Sequence, residues 1–120
     1  MPPRYRLTDA AAADVERVLR HTAATFGPAQ RDRYAALLER AAEALADNPR
    51  RPGALARPDL PGGLFSFRLD RVAGRRGAAA HVLYYRVLKT DEATVLIVRV
   101  LHEHMEPGLH VSGLMAEDAD

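Results

Sequence analysis

Cysteine is absent from this chain, and lysine occurs once, as Lys89. Without cysteine there is no disulfide framework and no thiolate chemistry, which suits a reducing compartment. No apolar run approaches the ~20 residues of a membrane span. The opening Met1-Pro2-Pro3-Arg4 lacks the apolar core of a secretory leader. A cytoplasmic protein with no membrane partner is therefore expected. No GxxxxGKS/T or GxGxxG motif occurs, and Gly62, Gly63 and Gly74 read as turn glycines, so nothing calls for a nucleotide or another cofactor. Ser66 and Ser112 have no neighbouring base, which leaves serine hydrolysis unsupported.

What is present fits one domain. The chain has 120 residues, 48% of them apolar and 28% charged, a balance that favours a modest folded core over disorder. The net charge of +1 conceals an uneven distribution. Residues 1–49 are balanced, residues 50–102 carry ten Lys/Arg against four Asp/Glu, and residues 103–120 carry five Asp/Glu and no Lys/Arg. The basic middle suits an acidic protein or nucleic acid, or is a solvated arginine-rich surface.

Periodicity orders the elements. Tyr5-Arg6-Leu7 alternates as a short strand, and Thr8 is an N-cap candidate with Asp9 in the first turn. Ala11, Val15, Val18, Leu19, Thr22, Ala23 and Phe26 recur at helical spacing, with Asp14 assigned to another face. Gly27 ends that helix and Pro28 opens a second, whose stripe is Tyr34, Leu37, Leu38, Ala41 and Leu45; Asn48-Pro49 ends it. So short a link predicts an antiparallel helical hairpin. A Pro/Gly-rich loop over 49–63 leads to three alternating strands, Leu64 to Asp70, His81 to Leu88 and Thr94 to His102, the last two joined by a turn over Lys89 to Ala93. The expected fold is α+β: a short N-terminal strand and an antiparallel two-helix hairpin packed on a three- to four-stranded antiparallel sheet. Residues 1–111 form the domain, and the acidic tail 112–120 is expected to fray.

Three constellations carry possible chemistry. Arg68, Arg86 and Arg99 lie one on each later strand, and guanidiniums hold phosphate bidentately. With His102 or His104 as acid or base they would supply metal-independent RNA cleavage. His102 and His104, with His110, Glu103 or Glu106, are also a metal-ligand candidate, but without HExxH or cysteine pairs the expectation is no metal. Finally, two helices cover one sheet face only. Val82, Tyr84, Val95 and Ile97 suggest that the other face is apolar too, a surface for a partner.

The ordered pieces Tyr5-Arg6-Leu7-Thr8 before an Ala-rich helix with Asp14, Phe26-Gly27 with Gln30 and Tyr34, Leu45-Ala46-Asp47-Asn48-Pro49, His81-Val82-Leu83-Tyr84-Tyr85-Arg86, and Ile97-Val98-Arg99-Val100-Leu101-His102 with Met105 and His110 resemble the RelE/ParE toxin family over about residues 5–111. The resemblance implies a toxin of a bacterial type II toxin–antitoxin module, bound and neutralised by a small DNA-binding antitoxin with a flexible C-terminal segment in a toxin–antitoxin hetero-oligomer. RelE-like members cut messenger RNA on the ribosome; ParE-like members are associated with inhibition of DNA gyrase. No lysine pair lies on the sheet and no tyrosine follows Tyr85, which favours the ParE branch, a binding protein rather than an enzyme. The resemblance is closest from Arg99 to Met105. Arg99, His102, His104 and Met105 are accordingly the candidate target contacts, and Val82, Tyr84, Arg86, Val95 and Ile97 the candidate antitoxin contacts. The alternative is an endoribonuclease using Arg68, Arg86 and Arg99 with His102 or His104.

Overall fold

The computed structural model describes residues 4–89 and 93–111. Residues 90–92 of the expected turn over Lys89 to Ala93, and the acidic tail 112–120, lie outside the described residues. The elements run β1 (Tyr5–Leu7), α1 (Asp9–Phe26), α2 (Pro28–Asp47), β2 (Leu55–Ala56), β3 (Phe65–Arg68), α3 (Asp70–Ala73), β4 (His81–Val87), β5 (Val95–His102) and α4 (Gly108–Val111). They form one five-stranded sheet in the order β1-β5-β4-β3-β2. The three later strands make the expected antiparallel meander, and β1 pairs with β5 in parallel, Tyr5 opposite Val95. The extra strand is β2, two residues from the loop paired with β3. Its Pro-rich surroundings concealed it, since proline is normally confined to sheet edges, and an edge is where β2 lies.

The helical hairpin forms for the reasons its sequence suggests. The Thr8 hydroxyl accepts the Ala11 N–H at 3.1 Å, capping α1. Gly27 ends α1 at φ 92° and ψ 168°, a region open essentially to glycine alone, and Pro28 starts α2 at once. Leu38, Ala41, Ala42 and Leu45 of α2 pack on Phe67, Leu83, Tyr85, Val95 and Ile97. The Tyr85 hydroxyl, deep in this layer, donates to the Pro49 carbonyl and ties the end of the hairpin to the sheet. Phe26 is an exception to the apolar stripe: it sits at the hairpin tip and is 69% exposed.

The far face of the sheet is not left open. Val82, Tyr84, Leu96, Val98 and Leu101 are buried there with Leu60, Leu64 and Val111. The expectation that Val95 and Ile97 share this face with Val82 and Tyr84 is corrected. Both point into the helix-side core, and Leu96 and Val98 occupy the far side. The error was one of phase. Side chains on a strand alternate, so an off-by-one assignment moves every one of them to the opposite face.

A β-bulge then resets the alternation in β5. Tyr84 lies opposite Arg99 and Tyr85 opposite Ile97, so Val98 is the extra residue. Past it Val100 faces the helices and Leu101 the far side. Because β1 ends at Leu7, the rest of the β5 edge has no strand partner among the described residues. The start of α1 supplies one: Thr8 N–H donates to the Ile97 carbonyl at 3.0 Å, the Thr8 hydroxyl donates to the Val98 carbonyl at 2.8 Å, and an Asp14 carboxylate oxygen accepts the Val100 N–H at 2.9 Å.

Candidate functional site

The end of β5 meets the middle of α1 in a cleft of about 210 Å³ lined by Arg17, Val18, His21, His81, His102 and Met105, among others. Each group is delivered by a regular element. Helical spacing places Arg17, Val18 and His21 along one side of α1. His81 opens β4, and the register sets it directly opposite His102. Met105 follows in the turn after β5, 38% exposed.

The imidazoles are linked. The Tyr34 hydroxyl lies 2.6 Å from His81 Nδ1. With neutral imidazole as acceptor, the phenol donates. Burial first, and then the like charge of His102, pull the His81 ring down to about 4, so it is uncharged near neutrality. Burial pushes the Tyr34 phenol up to about 12, which keeps it a donor. The His81 and His102 ring centroids are 5.4 Å apart and those of His102 and His104 5.0 Å. His102 Nδ1 accepts the His104 backbone N–H at 3.2 Å. The His104 side chain is 82% exposed, with Nε2 3.9 Å from Glu103. His110 stands apart from this group: its carbonyl accepts from Arg99 Nη1 at 3.0 Å. Among the described residues no set of histidines and carboxylates is arranged to hold a metal ion.

The three sheet arginines do not converge. Arg68 lies opposite Val82, four residues along β4 from Arg86, which separates their backbones by ~13 Å at the rise of a strand. Arg68 is held by two carboxylates, Asp70 at 3.1 Å and Glu103 at 2.8 Å. Arg99 leaves the sheet surface altogether. Its Nε and Nη2 donate to the two oxygens of Asp14 at 2.7 and 2.8 Å, a bidentate pair in which the Asp14 side chain is 1% exposed. Burial alone would raise the Asp14 carboxyl. The hydrogen bonds from Arg99, Val100 and Arg17 outweigh it and hold the group below the ordinary carboxylate range.

Of the expected target contacts, His102, His104 and Met105 thus share one rim, whereas Arg99 is turned inward beneath it. Of the expected antitoxin contacts, Val82, Tyr84, Val95 and Ile97 are all at least nine-tenths buried, and Arg86 is partly exposed. Sequence reasoning missed Asp14, His21, Tyr34 and His81 as parts of the site. Signals for three of them were present. Asp14 falls three residues after Ala11 and four before Val18, inside the buried stripe. Tyr34 belongs to the α2 stripe, and His81 has the parity of Leu83 and Tyr85.

A family model described as the ParE toxin of the type II toxin–antitoxin system, parDE, matches residues 5–107. Two curated proteins named Toxin ParE1, from Mycobacterium tuberculosis strains CDC 1551 / Oshkosh and ATCC 25618 / H37Rv, are each 35% identical over 106 residues, covering 88% of this chain and 95% of theirs. A solved structure titled "Chromosomal ParDE TA system from P. aeruginosa" superposes with a TM-score of 0.62 at 18% identity, over 82% of this chain and 94% of that one, a likeness of fold.

Proposed function

We propose, from the premise that the chain belongs to the ParE toxin family of type II toxin–antitoxin systems, that it acts by binding DNA gyrase and is neutralised by a cognate antitoxin in a hetero-oligomer. The observation that carries the choice of binding over RNA cleavage is the engagement of the arginines. Stabilising a phosphoryl transition state needs guanidiniums preorganised around one reacting phosphate. Here Arg99 is committed to Asp14, Arg68 to Asp70 and Glu103, and Arg68 and Arg86 stand far apart on β4 and its neighbour.

The target contact we assign is the rim formed by His102, His104 and Met105. A thioether and imidazoles on a turn held by two packed elements form a small amphipathic anchor, with an adaptable methionine of the sort enriched at interfaces. Arg99 and Asp14 act from beneath, fixing the end of β5 against α1 and so the position of the rim. Of the residues expected to meet the antitoxin, Arg86 is the one with a partly exposed position to do so.

The test uses one toxin preparation freed of its antitoxin in two assays: DNA supercoiling by gyrase, and cleavage of messenger RNA on translating ribosomes. Loss of supercoiling with intact RNA is the expected result, and adding the antitoxin should restore supercoiling. Cut RNA with normal supercoiling would overturn the proposal and return His102 and His104 to the role of acid–base candidates. Met105→Asp should weaken gyrase inhibition at least tenfold with the fold unchanged, since Met105 is already part-exposed.

A further inference from the structure

A second concavity lies apart from the lining of the histidine cleft. Between the end of β3, α3 and the turn that follows lies a cavity of about 710 Å³ lined by Arg68, Asp70, Arg71, Gly74, Arg75 and Arg76. Four of these six are arginines, and Asp70 is the single carboxylate. Asp70 is 5% exposed and already occupied: it pairs with Arg68 at 3.1 Å and accepts the Gly77 N–H at 2.9 Å. Its field also reaches Arg71. Arg71, Arg75 and Arg76 are exposed and have no ion-pair partner among the described residues. Gly74 and Gly77, at φ 80° and 79°, flank Arg75 and Arg76 with left-handed backbone, and both arginines line the cavity.

The chemistry of the lining selects the ligand. Three exposed guanidiniums without an ion pair among the described residues call for an anion. A folded protein partner needs apolar surface to bury at the centre of its contact, and among the described residues this lining contributes no apolar side chain, only the stems of arginines. Single-stranded nucleic acid is held largely by stacking its bases on aromatic rings, and the lining contains none. What remains is the phosphate backbone of a duplex, which asks only for positive charge and guanidinium geometry.

We propose that the Arg71–Arg75–Arg76 rim is a seat for the phosphate backbone of double-stranded DNA, read without sequence preference. The site borders the strand-end rim assigned to the target, because Arg68 in its lining bonds Glu103 at 2.8 Å, but it shares no lining residue with the histidine cleft and requires neither gyrase nor antitoxin.

The test is fluorescence anisotropy of the purified chain with a short labelled duplex of mixed sequence over a salt series, with no gyrase present. Three phosphate contacts give a log–log salt slope of ~−2.7, which is about 40-fold weaker binding between ~50 and ~200 mM salt. Arg75→Ala/Arg76→Ala removes two of the three contacts. It should flatten the slope to ~−0.9 and leave the circular dichroism spectrum unchanged, since both side chains are solvent-exposed. Salt-independent binding, full binding by the double variant, tighter binding to the matching single strand, or preferential binding of a polyglutamate peptide would each overturn the proposal. The gyrase assay cannot stand in for this one, because the variant can lose duplex binding while supercoiling inhibition through the Met105 rim persists, and the reverse.

Discussion

Removing the Asp14 carboxylate should be among the most costly single changes in this protein. Its two oxygens accept four N–H groups: Arg99 Nε at 2.7 Å, Arg99 Nη2 at 2.8 Å, the Val100 amide at 2.9 Å and Arg17 Nη1 at 3.1 Å. The contributions are unequal. The Arg17 side chain is 64% exposed, so its share is small. The Arg99 side chain is 16% exposed, so Asp14→Ala strands a guanidinium in a partly dry site with the His110 carbonyl as its remaining acceptor, and it orphans the Val100 amide on an unprotected strand edge. Breaking a buried pair from one side costs about 3–5 kcal/mol. For a domain of this size that is roughly 10–20 °C in Tm. Asp14→Asn should fare little better: one amide oxygen can still accept from Val100, but the amide nitrogen then meets the Arg99 donors.

The assay is denaturant unfolding followed by circular dichroism, on Asp14→Leu, Arg99→Met and the double variant. If the pair is a unit, the double variant loses less than the two singles together, with a coupling of about 2 kcal/mol or more. Acid adds a second readout. The Asp14 carboxyl is held below its unfolded value, so its contribution is complete above ~3.9 and disappears as the pH falls through the folded value. That loss should be absent from Asp14→Leu. Additive single effects, or an Asp14→Ala change smaller than ~1 kcal/mol, would refute the structural role given to this pair, and with it the claim that Arg99 is committed to the fold.

Two further outcomes follow from the same geometry. His81 is held at about 4, below its unfolded value of ~6.5, so the unfolded chain binds more protons between those values; stability should decline as the pH falls from ~6.5 to about 4 and owe nothing further to this group below that. His81→Gln keeps an acceptor for Tyr34 and should flatten that limb of the stability profile, and an NMR titration showing His81 charging near 6.5 would contradict the burial argument. Gly27→Ala should cost about 1–3 kcal/mol although an added Cβ at Gly27 meets nothing within 4 Å, because the penalty is backbone strain alone. Gly74→Asn, at φ 80° and ψ 2°, should cost distinctly less, since asparagine tolerates left-handed backbone; equal midpoints in denaturant for the two variants would refute this distinction.

The elements that could be read from the sequence are those whose signal is local. Thr8 and Asp9, Gly27-Pro28 and Asn48-Pro49 mark both helices within a residue of their ends, because caps and prolines act over one turn. The alternation in β4 put Val82 and Tyr84 on the far face, where they lie, opposite Leu83 and Tyr85 in the helix-side core. The β5 segment carries no such local signal. Nearly every residue is apolar, so either phase fits, and Val95 and Ile97 were put on the wrong face. Pairing with the neighbouring strands sets the phase of Val95 and Ile97, and the bulge at Val98, which no local pattern announces, resets it for the residues that follow.

The same bulge explains why the site was legible only in part. Simple alternation from Ile97 sends Arg99 into the helix-side core and Val100 to the far face. The extra residue sends Val100 to the core instead and sets Arg99 opposite Tyr84, from where its side chain follows the open β5 edge to Asp14. An arginine counted as a phosphate ligand thereby becomes a brace, and the histidines beyond it become a rim of fixed position. Asp14 was passed over because a carboxylate in an apolar stripe reads as a surface residue until its partner is known, and that partner lies 85 residues away. A buried acid in a helical stripe is itself a signal that such a partner exists, because the chain could not otherwise hold that charge out of water. Applied to Asp14, that rule alone asks for an arginine facing α1, and Arg99, isolated in the most apolar strand of the chain, is the residue that answers it.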